Sequence, residues 1–165
     1  MATAKTKKAT LSNHLNLPTD KMKAIADQLN NLLADYHIFY QNLRGFHWNV
    51  EGSDFFDLHE KFEVLYGEVN ENIDELAERI VTIGYKPLHS FSSFLKHATL
   101  KEITDVSNGD ECVKHVINQL GLIIDMHRRI FESTDEAKDI ASADMLTRFV
   151  VGLEKRLWMF TQFSK

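Results

Sequence analysis

Residues 54–83 read DFFDLHEKFEVLYGEVNENIDELAERIVTI, and this stretch decides the fold. Projected at about 100° per residue, Phe55, Leu58, Phe62, Leu65, Tyr66, Val69, Ile73, Leu76, Ile80 and Ile83 fall in one arc about 100° wide. That arc is the buried stripe of a long amphipathic helix. A second arc of about the same width starts at His59 and holds Phe56, Glu63, Gly67, Asn70, Asp74, Ala77, Glu78 and Val81. It mixes apolar, small and potentially metal-binding side chains, unlike a solvated face. Gly67 weakens a helix interior by about 1 kcal/mol relative to alanine and admits a close neighbour. The partner of this second surface is either the first helix of the same chain or another molecule.

Working outward, residues 20–50 form a first helix, with Ile25, Leu29, Leu32, Leu33, Tyr36, Phe39, Tyr40 and Leu43 at helical spacing. Gly52 stops it, and Ser53 is placed to cap the helix that follows. Gly84 and Pro87 close that second helix after about thirty residues. A long connection over 84–107 carries a short helix at 93–97. Asn108 with Glu111 makes a capping box for a third helix running to about residue 133. The acidic stretch 135–144 leads into a fourth, ending near Phe163. Four long helices with two short connections and one long one describe an all-α four-helix bundle with a crossover, a ferritin-like plan. The bundle spans 18–165, and 1–17 is a flexible basic tail.

Composition agrees with this plan. Of 165 residues 44% are apolar and 26% charged, as in a globular domain, and only two prolines and seven glycines interrupt the chain. The lone cysteine, Cys112, has no internal disulfide partner, and no segment reads as a signal peptide or a membrane span. A cytoplasmic address follows. The net charge of −5 opposes nucleic acid binding by the body of the molecule. Residues 1–10, however, carry Lys5, Lys7 and Lys8 and no acid. They form either a solubilising end or a tail that contacts DNA phosphates.

His59 and Glu63 are one helical turn apart, as are Asp74 and Glu78, so each pair can aim at one point. Imidazole with carboxylates suits iron and other first-row metals. The fifteen residues between His59 and Asp74 span about 22 Å of helix, whereas ligands lie about 2.0–2.6 Å from a shared ion. One chain cannot close such a site. Two antiparallel copies can, because facing residues across a two-fold axis have a constant sum of numbers, and 59 with 78 and 63 with 74 share that sum. The axis then crosses between Glu68 and Val69, beside Gly67, and two identical sites result. His47, at the end of the first helix, can turn in as a further ligand. Trp48 beside it either supplies an electron, shields the site or simply packs.

The segments Arg44-Gly-Phe-His47-Trp48-Asn-Val-Glu-Gly52, Phe55-Phe56-Asp-Leu-His59-Glu60-Lys-Phe62-Glu63 and Asp74-Glu-Leu-Ala-Glu78-Arg79 resemble the signature of the Dps proteins, the DNA-binding proteins from starved cells or miniferritins. The resemblance runs from about residue 20 to the C-terminus. It implies a bacterial or archaeal dodecameric shell that oxidises Fe(II), usually with hydrogen peroxide, stores ferric mineral and protects DNA. It implies His47, His59, Asp74 and Glu78 as ferroxidase ligands shared across a two-fold interface, with Glu63 at an acidic position of the family. Trp48 and Trp158 match tryptophan positions. Asp135 and Asp144 match acids of an iron-entry pore, with Asp139 beside Ile140 where a further family acid stands. DNA binding varies within the family, so a nucleoid-associated protein acting through its basic tail is the alternative. A conventional ferritin builds its centre from Glu-x-x-His motifs, and no histidine here has an acid three residues before it.

Overall fold

The computed structural model describes residues 15–165. Among them are five helices: α1 (Thr19–Asn49), α2 (Phe55–Thr82), the short α3 (Phe91–His97), α4 (Gly109–Glu136) and α5 (Ile140–Phe163). Three of the starts are capped by side chains: Ser90 accepts from Ser93 N, Asn108 from Glu111 N and Asp139 from Ser142 N. Each satisfies one of the four backbone donors that a helix start leaves open. The Ser90 cap sets α3 two residues earlier than its apolar pattern suggests. The expected Ser53 cap does not form. Gly52 turns at φ +114°, Asp54 takes the cap position without a side-chain cap bond, and Ser53 Oγ donates to the Asp54 carboxylate at 3.2 Å. Ser53 is one residue too early to reach the free amides.

α1 packs on α2, α3 and α4, and α4 packs on α5, so two hairpins are joined by the long crossover. Tyr36, Phe39, Phe62, Leu65, Leu76, Leu120 and Ile123 fill the shared core with almost no exposure. Three polar residues of α1 dock the crossover. Asn30 Oδ1 accepts from Leu88 N, buried Asp35 from Leu100 N, and Asn42 from Ile103 N while its amide donates to the Lys101 carbonyl. Burial raises the Asp35 carboxyl above the usual carboxylate range. Besides apolar contacts such as the stacking of Phe62 on Phe160, ion pairs tie α2 to α5 and its cap: Glu68 with Arg156, Glu75 with Arg148 and Arg79 with Asp139. No described helix is long and apolar enough to cross a membrane.

The apolar stripe of α2 is inside as its spacing requires, with Leu58, Phe62, Leu65, Val69, Leu76, Ile80 and Ile83 buried. The second arc is not covered by α1 along most of its length. Phe56 is 83% exposed and Val81 52%, and a Cβ built on Gly67 would meet no other atom within 4 Å. Within one chain this surface faces outward, which removes the same-chain partner as an explanation for it.

Candidate metal centre

His47 closes the last turn of α1 and His59 lies in the first turns of α2, so the tight turn around Gly52 brings their rings face to face. The centroids are 3.7 Å apart with planes 23° from parallel. Each ring is held by the other residue's backbone: His47 Nδ1 donates to the His59 carbonyl and His59 Nδ1 to the His47 carbonyl, both at 2.8 Å. A carbonyl oxygen only accepts, so both Nδ1 atoms carry the proton. In the neutral ring each Nε2 then carries the lone pair that a metal ion can take.

Around this pair the structure places residues that sequence reasoning treated differently. Tyr66 was expected wholly in the core. It is partly buried, lies edge-on to the His47 ring at 5.4 Å, and donates its hydroxyl to Glu63 Oε1 at 3.4 Å. Partial burial, with Glu63 beside it, raises its phenol above the ordinary value. The three-residue spacing from Glu63 was the available signal. Arg44, part of the first motif, also has contacts of its own. Its guanidinium lies over the Trp48 ring at 4.6 Å and donates to Tyr40 Oη at 3.3 Å. Trp48 and Trp158 are exposed.

Glu63, Asp74 and Glu78 all lie on the exposed side of α2. The unbroken helix keeps Asp74 roughly 22 Å and Glu78 roughly 28 Å along the axis from His59. Among the described residues no cluster of three or more His, Cys, Asp or Glu side chains is placed to hold a metal within one chain. The chain thus presents a histidine corner and a carboxylate pair on one continuous outward face, and does not itself bring them together.

The acids of the α4–α5 turn divide. Asp135 and Asp144 are exposed, although Asp144 accepts from Arg148 Nε at 3.1 Å. Asp139 is only 2% exposed. Its carboxylate caps α5, accepts from Ser142 Oγ at 2.6 Å and pairs with Arg79. That carboxylate is a structural anchor and does not line a surface, whereas the neighbouring Ile140 is exposed. Lys5, Lys7 and Lys8 lie outside the described residues.

Comparison with known proteins adds an independent line. The ferritin-like domain family matches residues 26–165. The DNA protection during starvation protein of Brevibacillus brevis is 40% identical over 147 residues, covering 89% of this chain and 99% of its own. That of Porphyromonas gingivalis is 38% identical over 148 residues, covering 90% and 93%. The crystal structure of the Dps protein from Vibrio cholerae O1, a member of a broad superfamily of ferritin-like diiron-carboxylate proteins, superposes with a TM-score of 0.93 at 38% identity, covering 96% of this chain and 100% of that one. Matched over most of its length in both sequence and fold, the chain belongs to the Dps family of ferritin-like proteins.

Proposed function

We propose that this protein is a ferroxidase and iron-storage miniferritin whose metal sites are completed by two chains. The observation that supports it best is the reciprocal bonding of His47 and His59, which leaves two Nε2 lone pairs side by side on a surface whose other end carries Asp74 and Glu78. A second copy laid antiparallel across Gly67 brings its Asp74 and Glu78 to this corner, with Glu63 between. Two imidazoles and two or three carboxylates bind Fe(II) well and favour Fe(III) more, because the added charge is matched by anionic oxygen donors. Hydrogen peroxide is the oxidant in this reading, and ferric product collects inside a closed homo-oligomeric shell, a dodecamer, in the cytoplasm. Exposed Asp135 and Asp144 would concentrate Fe(II) at the entry pore; Asp139, bound to Arg79, takes no part.

The sharing is tested by mixing chains. His59→Ala and Asp74→Ala homo-oligomers each lose both sites of every dimer. A mixed dimer pairs the two damaged halves in one site and the two intact halves in the other, so half of the Fe(II) oxidation returns. Mixed dimers without recovery refute the shared site.

Physical protection of DNA is a second role in the same protein. The relatives named for DNA protection and the three lysines of the first ten residues support it. Duplex binding by the whole assembly that falls steeply with salt and disappears on deleting residues 1–10 would follow from contacts to phosphates. Binding unchanged by that deletion would remove the tail from this role.

A further inference from the structure

Peroxide accepts two electrons, and one Fe(II) gives one. A site holding a single ferrous ion when peroxide arrives therefore needs a second electron from the protein to avoid releasing hydroxyl radical. We propose that Tyr66 is that donor, an inference that rests on the ferroxidase reading above. The Tyr66 ring lies edge-on to the His47 ring at 5.4 Å, so the candidate ligand is its immediate aromatic neighbour. Oxidising a phenol also requires a place for its proton, and Tyr66 Oη already donates to Glu63 Oε1. Tyr40 stands behind it, ring to ring at 5.8 Å.

The other oxidisable rings nearby are less suited. Trp48 lies beneath the Arg44 guanidinium, and removing an electron from a ring beside a fixed positive charge is opposed electrostatically. Tyr40 also sits under Arg44, and its hydroxyl accepts from that guanidinium.

The step balances. Fe(II) and the Tyr66 phenol each lose one electron, and the phenol O–H bond breaks with its proton passing to the Glu63 carboxylate. Hydrogen peroxide takes both electrons, that proton and one more from solvent, its O–O bond breaks, and two waters form beside Fe(III) and a Tyr66 phenoxyl radical. A later Fe(II) with one proton restores the phenol.

The full-length assembly would be loaded anaerobically with one Fe(II) per site, mixed with one equivalent of hydrogen peroxide, and frozen within milliseconds for electron paramagnetic resonance. A tyrosyl signal is expected, absent from Tyr66→Phe and present in both Tyr40→Phe and Trp48→Phe. Spin-trapped hydroxyl radical should rise severalfold in Tyr66→Phe. A tyrosyl signal that survives Tyr66→Phe overturns the assignment, as does an unchanged hydroxyl yield. Anaerobic Fe(II) titration is read first to separate the two levels of inference: an assembly that binds and oxidises Fe(II) without any tyrosyl signal overturns Tyr66 alone, and one that binds no Fe(II) overturns the ferroxidase reading and Tyr66 with it.

Discussion

At the N-terminal end of α2, His59 is locked to His47 by two backbone hydrogen bonds and ring stacking, whereas about four to five turns along, Asp74 and Glu78 stand outward, held among the described residues by no side-chain bond. The first region has its geometry set by its own chain; the second does not. Holding the imidazoles in advance means that a metal does not have to order them, and this favours tight binding. Leaving the carboxylates loose avoids forcing anionic groups together before a cation arrives. In the proposed antiparallel register Glu78 faces His59 and Glu63 faces Asp74, so a cation bound between them offsets the repulsion of the facing acids. A third region calibrates the contrast. His127 is fully buried and likewise donates Nδ1 to a carbonyl, that of Ile123, but its Nε2 accepts from Tyr36 Oη. The same backbone hold thus leaves Nε2 without a protein partner at the surface corner and makes it a core link in His127.

The largest test of this contrast is Gly67→Leu. A Cβ at this position meets nothing in the lone chain within 4 Å, so each monomer should stay folded, with its helix content by circular dichroism retained. Assembly should be lost because the close approach is blocked, and Fe(II) affinity should fall beyond the roughly 100-fold reached by changing groups that only hydrogen-bond to metal ligands. Sedimentation and anaerobic titration read both. A Gly67→Leu variant that remains assembled breaks the proposed register.

Arg79→Ala probes what anchors the acidic end. The Asp139 carboxylate would be left buried without its cation, and breaking such a pair by removing one member costs about 3–5 kcal/mol. Chemical denaturation of the metal-free protein should show that loss. A change below 1 kcal/mol would mean that Ser142 and the α5 amides suffice, and that the acidic end is anchored by packing.

Burial holds the His127 imidazole down at about 4, against 6.5 for an unstrained histidine. The folded state refuses a proton that the unfolded chain accepts, so the stability contribution is complete above pH 6.5 and is lost as pH falls towards 4. The loss amounts to about 3 kcal/mol at most. Denaturation midpoints measured from pH 7.5 to 4 should fall accordingly, and less steeply in His127→Gln. Zn(II) added at pH 7.5 should shift the imidazole resonances of His47 and His59 and leave those of His127 in place.

Much of this was legible in the chain because period and offset are local quantities. The arc of ten apolar residues on α2 and the separate face beside Gly67 follow from helical phase, as does the impossibility of closing the site within one chain. Tertiary events were not legible. Asp139 reads as one acid among several, and only the approach of Arg79 from α2 turns it into a buried cap. Tyr66 sits in phase with the core, yet its hydroxyl is long enough to leave it for Glu63. The docking of the crossover on Asp35 and Asn42 had a faint signature, two polar residues on an otherwise apolar helix, whose partners lie about sixty residues away.

The smallest prediction separates two helix starts that look alike in sequence. Asn108 caps α4, and the adjoining Ser107 carbonyl accepts from Glu51 N at 2.8 Å, so this start also props the turn that sets His47 against His59. Asn108→Ala should lower stability by about 1 kcal/mol. It should also loosen the histidine corner, seen as faster exchange of the Glu51 amide with solvent deuterium. Ser53→Ala removes only a hydroxyl bonded to its neighbour's side chain at the surface, and should change neither. Equal effects from the two variants would mean that Ser53 caps α2 after all and that the histidine corner is supported from its own helix; unequal effects place that support on α4, across the bundle.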